Sequence, residues 1–368
     1  MSEPVSWPDL AAALLLWLTA GVCIYLFLLN RYLLLLTDGL KKLLVLRGSM
    51  FAIGGAALLI GWWTARAGNP WLAFAAPIGV LTIFAIGEAR RIIIRRQCIA
   101  APPVETENAG VRLCAPITTT DLAVYRYELA TAHWQGRRLR IAHVSDLHLN
   151  GDLPAAYYQQ VMARVTRAEP DLLIFTGDLV TKVKYAADLP WVLTLARGKL
   201  ATLAILGNHD YWVGPQPVAA AVETSGITLL TDRCIRLRVD GHALLVCGYE
   251  KPWSKGTWRP PPVAPGELGL LLTHTPDNIY RLSPLGYTAI FAGHYHAGQV
   301  RLPWIGPIIT PSRYGRRFDH GHFIVGGAHL FITAGVGSAV PPRRIYCQPD
   351  IFFVDIMADG RQVRRDNA

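Results

Sequence analysis

The stretch Ile141-Ala142-His143-Val144-Ser145-Asp146-Leu147-His148-Leu149 reads as an apolar strand that runs into a carboxylate and an imidazole two residues apart. Successive strand side chains point to opposite faces, so Asp146 and His148 point the same way. A carboxylate and a histidine at that spacing can bind one metal ion. A lone Asp-x-His triplet is common by chance, and its weight comes from four further apolar runs that end alike. Residues 171–175 lead to Asp178, 200–206 to Asn208 and His209, 268–273 to His274, and 288–292 to His294 and His296.

Ligands bind at the ends of strands in α/β sheets, which is where these side chains fall. Gly177, Gly207 and Gly293 each precede a candidate, where a tight turn exposes the next side chain. A set of two Asp, one Asn and several His suits manganese, iron or zinc better than calcium or a thiolate-bound metal. It is too large for one ion. A bridging carboxylate would use it fully, with two ions roughly 3.5–4 Å apart. Any one histidine reads as well as a satisfied core residue, but five coincidences at strand ends do not. His133, His143, His242, His320, His322 and His329 lack this context and are read as structural.

Around these runs the chain alternates strands and helices. Strands are expected at 123–130, 138–145, 171–175 and 200–206, and helices at 154–168 and 186–197, the latter broken near Pro190. The runs 234–239 and 243–248 flank Asp240-Gly241, a two-residue hairpin turn. Late strands fit 330–333 and 351–356. The expected architecture is α/β: two facing sheets with helices outside, a four-layer α/β/β/α sandwich.

In this order, Asp-Leu-His, Gly-Asp, Gly-Asn-His-Asp, His274 and Gly-His-Tyr-His resemble the calcineurin-like metallophosphoesterase superfamily. The resemblance covers roughly residues 125–356. It implies that Asp146, His148, Asp178 and His296 hold a first metal. Asp178 would bridge to a second, completed by Asn208, His274 and His294. It implies a catalytic, non-ligating role for His209 over the substrate phosphate. The run 293–303, Gly335-Val336-Gly337, Pro341-Pro342-Arg343 and Pro349-Asp350 narrow the match to a membrane-associated bacterial branch that includes UDP-2,3-diacylglucosamine diphosphatases. Tyr295 and Ala297 stand where that branch usually has Thr and Gly, and Asp350 where it usually has Glu. Thr181 stands where the protein phosphatases carry an Asp that pairs with the catalytic His, which argues against that activity.

The 368 residues exceed one core, and 52% are apolar against 17% charged. Most of the apolar excess lies in 1–97, expected as a helical transmembrane region. The run 10–29 carries no charge and is long enough to span a bilayer. Glu3 and Asp9 before it, and no basic residue, argue against a cleaved signal peptide. Further spans fit 48–65 and 70–87, while 32–46, interrupted by Asp38, Lys41 and Lys42, is expected to lie at the interface. Trp62, Trp63 and Trp71 sit where interfacial aromatics belong. Arg90, Arg91, Arg95 and Arg96 follow the third span, which puts the following domain in the cytoplasm. Residues 98–122 read as a Pro-rich linker and 123–368 as the catalytic domain. The six cysteines form no Cys-x-x-Cys pair and read as buried reduced thiols.

The net charge of +10 fits anionic lipid and phosphate better than nucleic acid, given the membrane segment. Two loops, 251–266 with Trp253 and Trp258, and 301–318 with Trp304, Arg313, Arg316 and Arg317, combine aromatic and basic residues as a headgroup-dipping loop would. The three arginines are candidate substrate-binding residues. The expectation is a multi-pass bacterial inner-membrane phosphoesterase with two divalent metals, manganese foremost. Its partners would be the phospholipid bilayer and a lipid- or nucleotide-linked substrate such as UDP-2,3-diacylglucosamine, with no nucleic acid. The alternatives are a broad phosphoesterase acting on lipid or cell-wall phosphates, and a membrane sensor or scaffold with a structural metal.

Overall fold

A computed structural model describes residues 6–37, 39–339 and 342–359. Asp38, Pro341 and Glu3, used above, lie outside these. The chain divides into two compact units: Met1–Gln97 with Pro311–Arg317, and Cys98–Thr310 with Phe318–Ala368.

The first unit is helical. Helix α1 (Trp7–Leu28) starts at Ser6, whose hydroxyl accepts from the Asp9 amide and so satisfies one of the orphan donors of the first turn. One wider turn, Leu29–Leu33, prolongs it. Helix α2 spans Leu40–Arg66, and α3, Ala76–Cys98, follows a wide turn at Trp71–Ala75. Asn69 caps that turn by accepting from the amides of Trp71 and Leu72. Three stretches of 27, 27 and 28 residues are long and apolar enough to cross a membrane. Small residues let α1 and α2 approach: Gly21 faces Ala57, and Gly61 faces Ala13 and Trp17. Residues 40–46, expected at the interface, form the first turns of α2. With no proline and only two adjacent lysines there, nothing stops the helix from continuing. The third helix likewise continues past residue 87 through all four arginines.

The second unit holds two sheets. The first is built from β1 (Glu105–Glu107), β2 (Ala123–Thr131), β3 (Leu139–Val144), β4 (Leu172–Thr176), β5 (Ala201–Ile205) and β6 (Thr228–Leu229). The second starts with β7 (Cys234–Val239), β8 (His242–Tyr249), β9 (Leu268–Thr273) and β10 (Ala289–Ala292). After a small pair, β11 (Arg301–Leu302) and β12 (Gly306–Pro307), come β13 (Gly321–Val325), β14 (Ala328–Ile332) and β15 (Asp350–Ala358). The orders are β1-β2-β15-β3-β4-β5-β6 and β13-β14-β10-β9-β8-β7. Strands β3 to β6 run parallel, as do β8, β9, β10 and β14.

The sheets face each other across Ile141, Leu172 and Leu203 on one side and Val246, Leu270 and Phe291 on the other. Helix α4 (Ala155–Ala168) lays Tyr157, Val161 and Val165 on the outer face of the first sheet, beside α5 (Leu189–Leu193). Ile279, Leu282, Phe318 and Phe323 cover the outer face of the second. The four layers expected from the sequence are all present. The connector is not wholly irregular: β1 pairs with β2, and Ile117 bridges Ile345.

The cysteine expectation is corrected at one pair. Cys234 and Cys247 sit opposite each other across the β7–β8 ladder and are disulfide-bonded. Cys347 is a buried free thiol and Cys114 an exposed one.

Candidate metal centre

Five of the parallel strands deliver polar residues at their C-terminal ends. Asp146 and His148 follow β3, Asp178 follows β4, His274 follows β9, and His294 and His296 follow β10. Asn208 and His209 open a short helix, α6 (Asn208–Val213), directly after β5. The strands are buried on both faces, so the first residue free to turn inward is the one just past the ladder.

The local backbone is unusual. Asp146, His148, Asp178, His294 and His296 all have positive φ, from +46° to +69°. Non-glycine residues seldom adopt this region, and such strain concentrates at functional sites. Gly177, at φ +92°, lies so close to Gly207 and His274 that a Cβ there would overlap both. A Cβ on Gly293 would strike the Asp146 carboxylate.

Two sets of donor atoms converge, each within 4.8 Å: Asp146, His148, Asp178 and His296, and Asp178, His274 and His294. Asp178 belongs to both. In the first set, Nε2 of His148 is 3.0 Å from Nε2 of His296 and 3.5 Å from Asp178 Oδ2, while His296 Nε2 is 3.3 Å from Asp146 Oδ1. In the second, His274 Nε2 is 3.2 Å from Asp178 Oδ2 and 3.1 Å from Asn208 Oδ1. The Asn208 side chain therefore joins the second set. His274 Nδ1 is 2.6 Å from the Thr176 carbonyl, to which it donates, so Nε2 is the nitrogen turned to the centre.

The electrostatics call for positive charge. Burial opposes the charge of Asp146, but His296 and His148 outweigh it and hold its pKa below the carboxylate range. Burial likewise opposes Asp178, and His274 and His209 overcome it. Burial would lower the pKa of His274, yet the Asp178 carboxylate beside it pulls it up to about 9. Burial pushes His294 down to about 3, leaving a neutral ring. Its Nε2 is buried with no hydrogen-bond partner. An orphaned lone pair, two facing imidazole nitrogens and two buried carboxylates are a donor set that fits two divalent cations.

His209 stands beside both sets without entering either. Its ring meets that of His148 edge-on at 4.7 Å and lies 4.7 Å from the Trp212 ring. Its backbone amide donates to Asp178 Oδ1 at 2.8 Å.

Residues 139–298 match the calcineurin-like phosphoesterase family. The chain is 27% identical to the metallophosphoesterase YkuE of Bacillus subtilis over 223 residues, covering 58% of this chain and 77% of that protein. It is 26% identical to phosphodiesterase YaeI of Escherichia coli over 239 residues, 63% and 87% of the two chains. It is 28% identical to UDP-2,3-diacylglucosamine pyrophosphatase LpxG of Chlamydia muridarum over 226 residues, 47% and 67%. The chain carries a calcineurin-like metallophosphoesterase domain. It is a metal-dependent phosphohydrolase.

Several residues of the metallophosphoesterase site had no assigned role in the sequence. Thr181 Oγ1 lies 2.8 Å from His148 Nδ1. Asp210 is buried and accepts from the amides of Leu179, Val180 and Gly207; burial and the nearby Asp178 charge lift its pKa to about 7. Arg344, fully buried, donates to the carbonyls of Ala334, Gly335 and Gly337 and stands 3.3 Å from His296 Nδ1. Trp253 lies 5.4 Å from the His274 ring and 5.3 Å from the His294 ring, so this loop packs over the centre rather than facing outward as expected. Trp258 likewise packs against Tyr249. Asp210 was visible inside Gly-Asn-His-Asp, but nothing in the sequence distinguishes Arg344 from a surface arginine.

Ala297, at a position where glycine is usual, has φ +49°, which explains the usual residue. The Tyr295 hydroxyl donates to Asp277 at 2.6 Å. Of the histidines read as structural, His143 Nε2 meets Thr176 at 2.8 Å and His322 meets His329 at 2.9 Å, while His143 Nδ1 is buried without a hydrogen-bond partner. Arg313, Arg316 and Arg317 lie on the segment that groups with the helices, where Arg316 pairs with Glu88.

Proposed function

We propose that this chain is a membrane-anchored, two-metal phosphoesterase that hydrolyses a diphosphate or phosphodiester bond in a lipid- or nucleotide-linked substrate, UDP-2,3-diacylglucosamine foremost. The observation that carries the chemistry is the sharing of Asp178 by two donor sets, with His209 adjacent to both. Asp146, His148, Asp178 and His296 would hold one cation, and Asp178, Asn208, His274 and His294 the other, with manganese first and iron or zinc next. Bound there, divalent cations neutralise phosphate oxygens and supply a water that ionises near neutral pH. His209 hydrogen-bonds the leaving oxygen and delivers its proton, with Trp212 backing the ring. Trp253 limits water entry beside His274 and His294. The similarity to LpxG supports the substrate class.

The three apolar helices serve as membrane spans of a bacterial inner-membrane protein, and Arg313, Arg316 and Arg317 as headgroup contacts. Trp304, 91% exposed at the β11–β12 tip, suits a bilayer surface. Two features bear on orientation. The arginines ending α3 favour a cytoplasmic domain. The Cys234–Cys247 bond favours an oxidising compartment. Directly opposed cysteines stay in contact whether bonded or reduced, whereas four arginines strongly resist translocation, so the cytoplasm is the proposed side. A reporter on the C-terminus tests it: alkaline phosphatase activity in intact cells would move the domain outside. The purified protein should release nucleotide from UDP-2,3-diacylglucosamine in a metal-dependent manner. Turnover of bis-p-nitrophenyl phosphate without that release would discard the substrate and keep the chemistry.

A further inference from the structure

The helical unit carries its own concentration of positive charge. Residues 1–97 and 311–317 together hold twelve Lys/Arg and four Asp/Glu, a net charge of +8. Much of it gathers around one open cleft of about 610 Å³, lined by Arg31 from the turn after α1, Arg90, Arg91, Ile93 and Ile94 from α3, and Tyr314 and Arg317. The cleft is built rather than incidental. Arg31 and Arg91 donate to the carbonyls of Arg313 and Arg316, Ser312 donates to the Asn30 carbonyl, and Glu88 pairs with both Arg91 and Arg316. These bonds fix the 311–317 segment as one wall. Arg90 is exposed and makes no ion pair with any described residue.

From this geometry we propose that the cleft holds the phosphate headgroup of an anionic lipid. Guanidinium groups match phosphate oxygens in bidentate pairs, and Ile93 and Ile94 offer an aliphatic wall for the glycerol and first methylenes. Arginines at a span terminus are where an anionic leaflet presents such groups. The proposal rests on reading the helices as membrane spans and does not require turnover. Free inorganic phosphate shares the chemistry, so the test must separate the two.

The full chain, purified in detergent, would be given phosphatidylglycerol and phosphatidylcholine in equal amounts, and retained lipid counted by native mass spectrometry. Wild type should retain phosphatidylglycerol over phosphatidylcholine on the order of tenfold, and Arg31→Gln with Arg90→Gln should remove most of that preference. Arg90→Gln alone, at an exposed side chain, carries the test if the double variant fails to fold. Arg47→Gln, an arginine outside the cleft, should keep the preference. No preference in wild type, or equal loss with Arg47→Gln, would overturn the cleft. Displacement of the lipid by millimolar inorganic phosphate would reassign it to a soluble anion and overturn the lipid. Carbonate extraction of the protein from membranes tests the spans separately: release would overturn spans and lipid together, whereas retention without headgroup preference would overturn the cleft alone.

Discussion

Thr181 Oγ1 lies 2.8 Å from Nδ1 of His148, on the side of the ring away from the donor cluster. Nδ1–H donates to that hydroxyl, and Nε2 is left with its lone pair directed at Asp178 and Asp146. Thr181→Val removes the acceptor at nearly constant volume. Metal affinity should fall about 10–100-fold, the usual range for losing such an outer partner. Chelator-competition titration measures it, and unchanged affinity would remove Thr181 from the site.

Asp178 is the one residue common to both donor sets. Asp178→Ala should abolish turnover and lower metal content more than any other single ligand change. Elemental analysis that still finds two ions per chain would disprove the shared position.

His209→Ala should keep both ions, because His209 enters neither set. Its kcat should fall by about 10²–10⁴, the range for losing a general acid or one charge-stabilising donor. The loss should be smaller for p-nitrophenyl esters, whose leaving groups need little protonation. Equal losses for good and poor leaving groups would leave charge stabilisation as its role. His296→Ala should instead lose metal and activity together.

Glu250 is buried, accepts from the Leu206 amide and Thr231, and meets the Tyr211 hydroxyl at 2.6 Å. Burial raises its pKa despite those bonds. A carboxyl with a raised folded pKa favours the fold below its ordinary range, near 4.5, and that contribution is lost as pH rises through the folded value. Glu250→Gln keeps the shape and does not ionise. Its stability relative to wild type should therefore improve between about pH 4 and pH 8. Denaturant unfolding at the two pH values measures this, and a constant difference would contradict it.

The site was legible because each buried strand ends abruptly in a polar residue: Val144 to Asp146, Thr176 to Asp178, Ala292 to His294. The sandwich followed from the same runs. Edge strand β13 was not legible, since Gly321–Val325 is only five residues long and inverts the usual pattern, burying His322 and exposing Ile324. The disulfide was in fact implied. A turn at Asp240-Gly241 places Cys234 opposite Cys247, six residues back along one strand and six forward along the other. Arg344 was hidden, because its partners are carbonyls of residues 334–337, set by the tertiary path and not by any local pattern.

The grouping of Pro311–Arg317 with the helices means that the polypeptide passes between the two units three times, after Gln97, after Thr310 and after Arg317. A single cut therefore cannot separate the two units. An expression product starting at Cys98 would keep seven residues whose carbonyls and Arg316 have lost Arg31, Arg91, Arg95 and Glu88. During synthesis the helices must wait for more than two hundred further residues before that segment emerges. Assembly of the helical unit is then completed only after most of the catalytic sandwich has been made.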